Sequence, residues 1–270
     1  MMNKMRKLSL LFVLLLGMGA TALAYDNTYA IIIGVADYKN FEPGKGDLTF
    51  TVSDAIRFSD FLKSKRGGSV PASNIVLLTN AQATKKAIID KGKALFAKAG
   101  KNDRVIFYFS GHGGEGYFLP YDVTDFGQNL LFYDEVKSIF RTSKSNTKLL
   151  FADACHSGGM KPDTKKDVTL QKSLENGKKA ASNMNIAVML SCQQDQISWE
   201  TSALKQGVFT YYIMEGLAGA ANRDGNKYIT IQELFYYVYH NVEETTIKMG
   251  QKQTPVLFGK FNLALIVGKL

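Results

Sequence analysis

Two apolar runs, each ending in a Gly-rich segment with one reactive side chain, fix most of what this chain can fold into. One is Arg104-Val-Ile-Phe-Tyr-Phe-Ser-Gly-His112-Gly-Gly; the other is Lys148-Leu-Leu-Phe-Ala-Asp-Ala-Cys155-His-Ser-Gly-Gly. Each reads as a buried strand running into a turn. Strands that are apolar throughout belong to sheets covered on both faces, and in such sheets sites form at the carboxyl ends of the strands. An imidazole and a thiol presented at two such ends are the minimum for a cysteine nucleophile with its base.

The rest of the chain alternates in the same way. Strand patterns at 29–35, 74–78, 104–109, 147–152 and 185–190 are separated by helical patterns at 52–63, 83–99 and 130–140. A short extended piece is expected at 117–119, further helices at 208–218 and 230–242, and a β-prone tail at 256–267. This order predicts an α/β fold, an αβα sandwich with a mostly parallel central sheet and helices on both faces. The stretch 158–183 breaks the pattern: it is polar, rich in Lys and without apolar period, and reads as an exposed loop.

The first 24 residues read as a secretory signal. Lys4, Arg6 and Lys7 precede the apolar stretch Leu8 to Leu16, and Ala22-Leu23-Ala24 has the small-x-small spacing of a cleavage site. The stretch is short for a membrane span, so no stable anchor is expected after cleavage, and the destination is secreted or periplasmic. Without the three leader cations, 30 Lys and Arg face 24 Asp and Glu, a net charge of +6. No basic stripe interleaves with aromatics, so nucleic acid is not an expected partner.

Cys155 and Cys192 are the only cysteines. A disulfide is the alternative use of two cysteines in an oxidising compartment, and it would silence the thiol. Each cysteine follows its own apolar strand, and the Gly-flanked segment around Cys155 suits a nucleophile.

These residues carry a resemblance. The pairing of Phe-Ser-Gly-His112-Gly with Asp153-Ala-Cys155-His-Ser-Gly resembles the caspase and metacaspase family of cysteine peptidases. Tyr29-Ala-Ile-Ile-Ile-Gly-Val-Ala-Asp-Tyr38 is similar to that family's first strand and following turn. Leu-Pro-Tyr-Asp122 and Ser191-Cys-Gln-Gln-Asp-Gln-Ile-Ser-Trp-Glu200 resemble bacterial members. The resemblance implies one caspase-like domain: a large-subunit-like part over 25–158, a linker over 159–184 and a small-subunit-like part over 185–270. It implies a peptidase acting on proteins or peptides, with Cys155 as nucleophile, His112 as proton donor to the leaving amine, and the backbone N–H groups of Gly113 and Cys155 as oxyanion hole. No cofactor is required by that chemistry.

In metacaspases the residue before the scissile bond is Arg or Lys, bound by carboxylates. Here Asp153 lies two positions before Cys155, Asp54 follows Thr51-Val-Ser as the family's pocket Asp follows Cys-x-x, Ser110 precedes His112 by two, and Asp195 is a further candidate. Thr51 departs from the family's Cys. The bland reading of Asp54 is a carboxylate favoured by the helix dipole. Other outcomes remain open: an idle caspase-like binding module, or a peptidase of other specificity. An enzyme preferring basic residues would be expected to cut itself within 160–183.

A second motif lies late in the chain. Asn222, Asp224, Asn226 and Glu233 fall at ligand positions of a calcium-binding helix–loop–helix, with Ile229 at the expected apolar position. Lys227 stands where that loop needs its turn glycine. The same residues also read as a polar turn capping the helix from Thr230.

Overall fold

The computed structural model describes residues 25–42, 44, 46–114, 116–124, 127–155, 186–193, 196–201 and 203–270, with only the backbone of Cys155. The signal-like leader, the whole Lys-rich stretch and Asp195 lie outside the described residues.

The main sheet runs in the order β11-β7-β6-β3-β1-β2. Its strands are β1 (Thr28–Gly34), β2 (Ile75–Thr79), β3 (Arg104–Gly114), β6 (Thr147–Cys155), β7 (Ala187–Leu190) and β11 (Val256–Phe258). All neighbours are parallel except β11, which closes the edge antiparallel to β7. Two short strands, β4 (Tyr117–Phe118) and β5 (Leu131–Phe132), extend the sheet beyond the end of β3. β8 (Glu200–Thr201) pairs with β9 (Gln206–Gly207), and β10 (Tyr228–Thr230) with β12 (Ile266–Lys269).

Both faces of the central strands are buried, which is why their sequences are apolar throughout. Ile31, Ile33, Phe107, Phe109, Leu150 and Ala152 face α2 (Lys85–Phe96) and α3 (Tyr133–Arg141). Ala30, Ile32, Ile106, Tyr108, Leu149 and Phe151 face α1 (Thr51–Lys63), α4 (Val208–Glu215) and α5 (Ile231–Lys248). Helical spacing gives each helix its stripe: Ala55, Phe58 and Leu62 on α1; Leu234, Val238 and Val242 on α5.

The structure departs from the sequence reading where chemistry begins. β3 does not end at Phe109 but continues to Gly114, and β6 continues to Cys155. Each strand supplies the ladder for the other, so the pairing persists through the glycines and sets His112 opposite Cys155. The expected helix at 130–140 begins at Tyr133, because Leu131 and Phe132 are held by β4. The hairpin of β8 and β9 was not expected.

Candidate active site

The ends of β6 and β3 lie side by side and form the floor of a cavity of ≈ 420 Å³. Its walls include Thr51 and Asp54 from α1, Ser110 and His112 from β3, Asp153 from β6, Trp199 and Glu200 at β8, and Gly207. α1 reaches the cavity because β1 ends in glycine: a Cβ on Gly34 would sit 2.7 Å from both the Ala55 Cβ and the Thr51 carbonyl oxygen. The Thr51 hydroxyl also donates to the Val35 carbonyl at 2.9 Å, fixing the start of the helix.

His112 is held from three sides. Its backbone N–H donates to the Tyr38 hydroxyl at 2.7 Å. The Tyr38 ring stacks on the imidazole at 5.3 Å and is backed by Phe41 at 4.9 Å. Nε2 lies 2.7 Å from the Gly46 carbonyl oxygen. A carbonyl only accepts, so Nε2 carries the proton and Nδ1 keeps the lone pair that takes or returns a proton. Burial pushes the His112 pKa below its ordinary value, against the opposing pull of the Gly46 carbonyl, so the imidazole is neutral at neutral pH. Opposite it in the ladder stands the backbone of Cys155; the thiol lies outside the described residues. Gly113, next along β3, pairs with Phe118.

The other half of the cavity is acidic. Asp54 and Asp153 are 1% and 6% exposed. Both oxygens of Asp54 accept from the Gly207 N–H, at 3.2 and 3.0 Å. Asp153 accepts from the Thr210 hydroxyl at 2.7 Å, from the Thr210 N–H at 3.2 Å and from the Ser198 hydroxyl. The Thr210 hydroxyl lies 2.7 Å from that of Tyr108. All of these donors are neutral, and no Lys or Arg among the described residues forms a salt bridge with either carboxylate. Burial, and then repulsion from Asp153, pushes Asp54 up to about 8. Burial likewise raises Asp153, against the hydrogen bond from Ser198.

Of the residues singled out from sequence, Asp54, Ser110, His112 and Asp153 thus line one cavity. Glu200 was missed. It lines the same cavity and accepts from the Phe50 N–H at 3.0 Å, tying the start of α1 to the hairpin; burial raises its pKa. The only hint in the sequence was a charge directly after the sole tryptophan.

The 222–233 loop lies elsewhere and borders a separate cavity. Asn222 accepts from Gly225 N–H at 3.0 Å, Asp224 from Asn226 N–H at 3.0 Å, and Asn226 from Tyr228 N–H at 2.6 Å. Glu233 accepts from Thr230 N–H at 2.9 Å, from the Thr230 hydroxyl at 2.7 Å and from Arg223 N–H at 3.2 Å. In turn the Glu233 N–H donates to the Thr230 hydroxyl oxygen at 3.2 Å, completing a capping box for α5. These side chains are spent on the loop's own backbone, and the described residues hold no group of three or more His, Cys, Asp or Glu suited to a metal. Cys192 is buried, its sulfur against the carbonyls of Ala154 at 3.8 Å and Gln196 at 3.4 Å.

Residues 27–264 match the model of the caspase domain. The chain belongs to the caspase family of cysteine peptidases. It is 23% identical over 258 residues to a probable protease of a Desulfuromonadales bacterium, covering 85% of this chain and 31% of that protein. It is 34% identical over 113 residues to metacaspase-1A of Aspergillus oryzae, covering 40% of this chain and 24% of the relative. It therefore spans less than a third of the length of either relative. The crystal structure of caspase-1 from Spodoptera frugiperda aligns with TM-score 0.61 at 16% identity over 92% of each chain. A protein from Geobacter sulfurreducens aligns with TM-score 0.59 at 18% identity, over 90% of this chain and 98% of that one. These alignments show the caspase-like fold. Among the described residues no helix is long and apolar enough to cross a membrane.

Proposed function

We propose that this chain is a cysteine endopeptidase that cuts after Arg or Lys, with Cys155 as nucleophile and His112 as its acid–base partner. The observation that carries the specificity is the pair of buried carboxylates, Asp54 and Asp153, lining the cavity that His112 also lines. A guanidinium or ammonium there would meet two carboxyl groups that now have only neutral donors.

In this reading the Cys155 sulfur, once its proton has passed to Nδ1 of His112, forms a bond to the scissile carbonyl carbon. The oxyanion is held by the N–H groups of Gly113 and Cys155. The C–N bond then breaks as His112 returns the proton to the leaving amine, leaving a thioester that water hydrolyses. Thiol, imidazole and backbone amides supply every step, so no cofactor is needed. Calcium at Asn222, Asp224, Asn226 and Glu233 would act on the α5 cap, away from the chemistry.

The proposal extends to an exported protein, cleaved after Ala24, that cuts itself in the Lys-bearing segment 159–184. Profiling the purified protein and its Cys155→Ala variant on a peptide library tests it. Wild type should cut after Arg and Lys and mature into two fragments, while the variant does neither. Cleavage only after acidic or apolar residues would overturn the specificity, and equal turnover by the variant would overturn the nucleophile, leaving a binding module.

A further inference from the structure

Helices that join parallel strands run back along them, so the connections of this fold gather at two opposite ends of the sheet. The carboxyl ends carry the catalytic cavity. At the amino ends, Thr28 of β1, Arg104 of β3 and Thr147 of β6 stand in register. From Arg104 to His112, β3 separates the two ends by roughly 26 Å, at about 3.3 Å per residue.

Charge divides between the ends in the same way. At the carboxyl end Asp54, Asp153 and Glu200 line the cavity, and Asp37 and Asp47 stand exposed beside Tyr38 and Gly46. At the amino end the exposed charges are mostly cations. Lys65 follows α1, Lys98 and Lys101 lie between α2 and β3, and Arg141 and Lys144 lie at and beyond the end of α3. The Asn146 N–H donates to the Lys101 carbonyl at 3.1 Å, which joins the last two of these connections into one surface. None of the five cations forms a salt bridge with a described carboxylate. The acids on the same segments offset little of this charge. Asp60 pairs with Lys63 at 2.8 Å, and Asp103 is buried, accepting from the Asn27 and Gly100 N–H groups at 3.0 and 2.7 Å; Asp26 is exposed. The helix dipole favours Arg141 in the last turn of α3, but Lys65, Lys98, Lys101 and Lys144 stand beyond the α-helices and have no such reason to be there.

The chain that precedes the fold joins it at this same end. Tyr25 stands just before β1, and the Asp26 N–H donates to the Asn102 carbonyl at 2.8 Å, next to Lys101. Residues 1–24 bring Lys4, Arg6, Lys7 and the apolar stretch Leu8 to Leu16, a composition suited to an anionic bilayer. Nucleic acid fits the surface less well: segments 64–67, 97–103 and 141–147 hold no aromatic residue on which a base could stack. We propose that the amino end of the sheet, through Lys65, Lys98, Lys101, Arg141 and Lys144, docks on an anionic phospholipid bilayer and holds the catalytic cavity on the side facing away from it. The adsorption is electrostatic and reversible, and it does not depend on the activity proposed above.

Two measurements test this, both on the chain from Tyr25 onward with Cys155→Ala, so that neither leader nor self-cleavage contributes. The first is sedimentation with vesicles of phosphatidylcholine, alone or mixed with phosphatidylglycerol. The protein should bind only the mixed vesicles, and binding should weaken as added salt shortens the Debye length from about 30 Å at 0.01 M to about 8 Å at 0.15 M. Replacing Lys98, Lys101 and Lys144 together by Gln should lower the partition coefficient roughly a hundredfold. Lys39, Lys205 and Lys252 supply the control at the catalytic end: Lys39 follows Tyr38, Lys205 lies in the β8–β9 turn, and Lys252 precedes Gln253, whose side chain accepts from the Trp199 N–H at 2.8 Å. Replacing these three by Gln should change binding less than about threefold, because they stand beyond a Debye length from the bilayer. Equal losses in the two triple variants would overturn the proposal, since net charge alone would then explain the attraction. Tighter binding to duplex DNA than to the mixed vesicles at the same salt would overturn it in favour of another polyanion. The second measurement needs no variant: acetylation of lysines read by mass spectrometry. Mixed vesicles should protect Lys98, Lys101 and Lys144 and leave Lys39, Lys205 and Lys252 reactive; uniform or reversed protection would overturn the orientation.

Discussion

Two acidic clusters among the described residues behave oppositely. Asp54, Asp153 and Glu200 come from three distant parts of the chain and share one cavity. Asp224 and Glu233 come from one loop and bond within it. In the first, burial outweighs the hydrogen bonds, and carboxylate pKa values rise. In the second, burial again pushes Glu233 up, but donors from Thr230 and Arg223 overcome it and the net shift is downward. Carboxylates that fold their own loop are satisfied by it. Those assembled across the fold without a cation keep a demand that a ligand can meet.

The largest expected effect tests that contrast directly. Asp153→Asn keeps shape and removes charge. It should lower kcat/KM on Arg and Lys peptides about a hundredfold or more, since leaving one member of a buried charge pair alone costs about 2–5 kcal/mol. Asp224→Asn, the same exchange in the exposed loop, should change kcat/KM less than about twofold. Steady-state kinetics on both variants decides, and equal losses would erase the distinction between the clusters.

The two clusters should also respond to pH with opposite sign. Asp54 holds its proton up to about 8 when folded but only to 3.8 when unfolded. Between those values the folded state binds more protons, so stability falls as pH rises through that window. Glu233, with a lowered pKa, contributes stability that is present above the ordinary carboxylate range and lost on acidification. Thermal melts of Asp54→Asn should therefore gain most over wild type near pH 9 and least near pH 5. A gain independent of pH would mean that Asp54 does not carry the shifted proton.

The sequence made one of these regions legible and left part of the other hidden. The apolar runs disclosed β1, β3, β6 and their neighbours because strands covered on both faces have little choice of residue. His112, Cys155, Ser110 and Asp153 sit in or beside those runs, so their convergence could be read from strand order. Asp54 was legible through its spacing on α1. Glu200 and Gly207 were not, because a two-residue hairpin 150 positions from its partner Phe50 has no periodicity to read. Tyr38 stood in plain view within the first motif, but a backbone N–H seeking its hydroxyl leaves no trace in the pattern.

Tyr38 supplies a smaller effect. Tyr38→Phe keeps the ring stack on His112 and deletes the hydroxyl that receives its N–H. Loss of one such bond costs about 1 kcal/mol, so kcat should fall roughly fivefold with KM little changed. As a positioning residue, Tyr38 should also affect the acid limb of the pH–rate profile, which lies below the ordinary histidine value because burial keeps His112 neutral. A loosened imbalance in that shell should move the limb upward as water reaches the ring. An unchanged limb together with unchanged kcat would mean that Gly46 and the stack alone hold the imidazole.

The smallest expected effect belongs to the loop. Glu233→Gln keeps the capping geometry and removes the charge at the start of α5. A negative charge in the first turn of a helix contributes about 0.3–1 kcal/mol, and in a domain of this size 1 kcal/mol corresponds to a Tm shift of about 2–4 °C. The loss should be largest near neutral pH and shrink on acidification, as protonation removes the wild-type advantage. KM for Arg peptides should not move, because Glu233 lines a different cavity from Asp54 and Asp153. Calcium sharpens the same experiment. If the loop is only a cap, millimolar calcium leaves the melting temperatures of wild type and variant where they were. A calcium-dependent rise in wild type that Glu233→Gln abolishes would make this loop a ligand site as well, and the two acidic clusters would then differ in the ligand they await rather than in whether they await one.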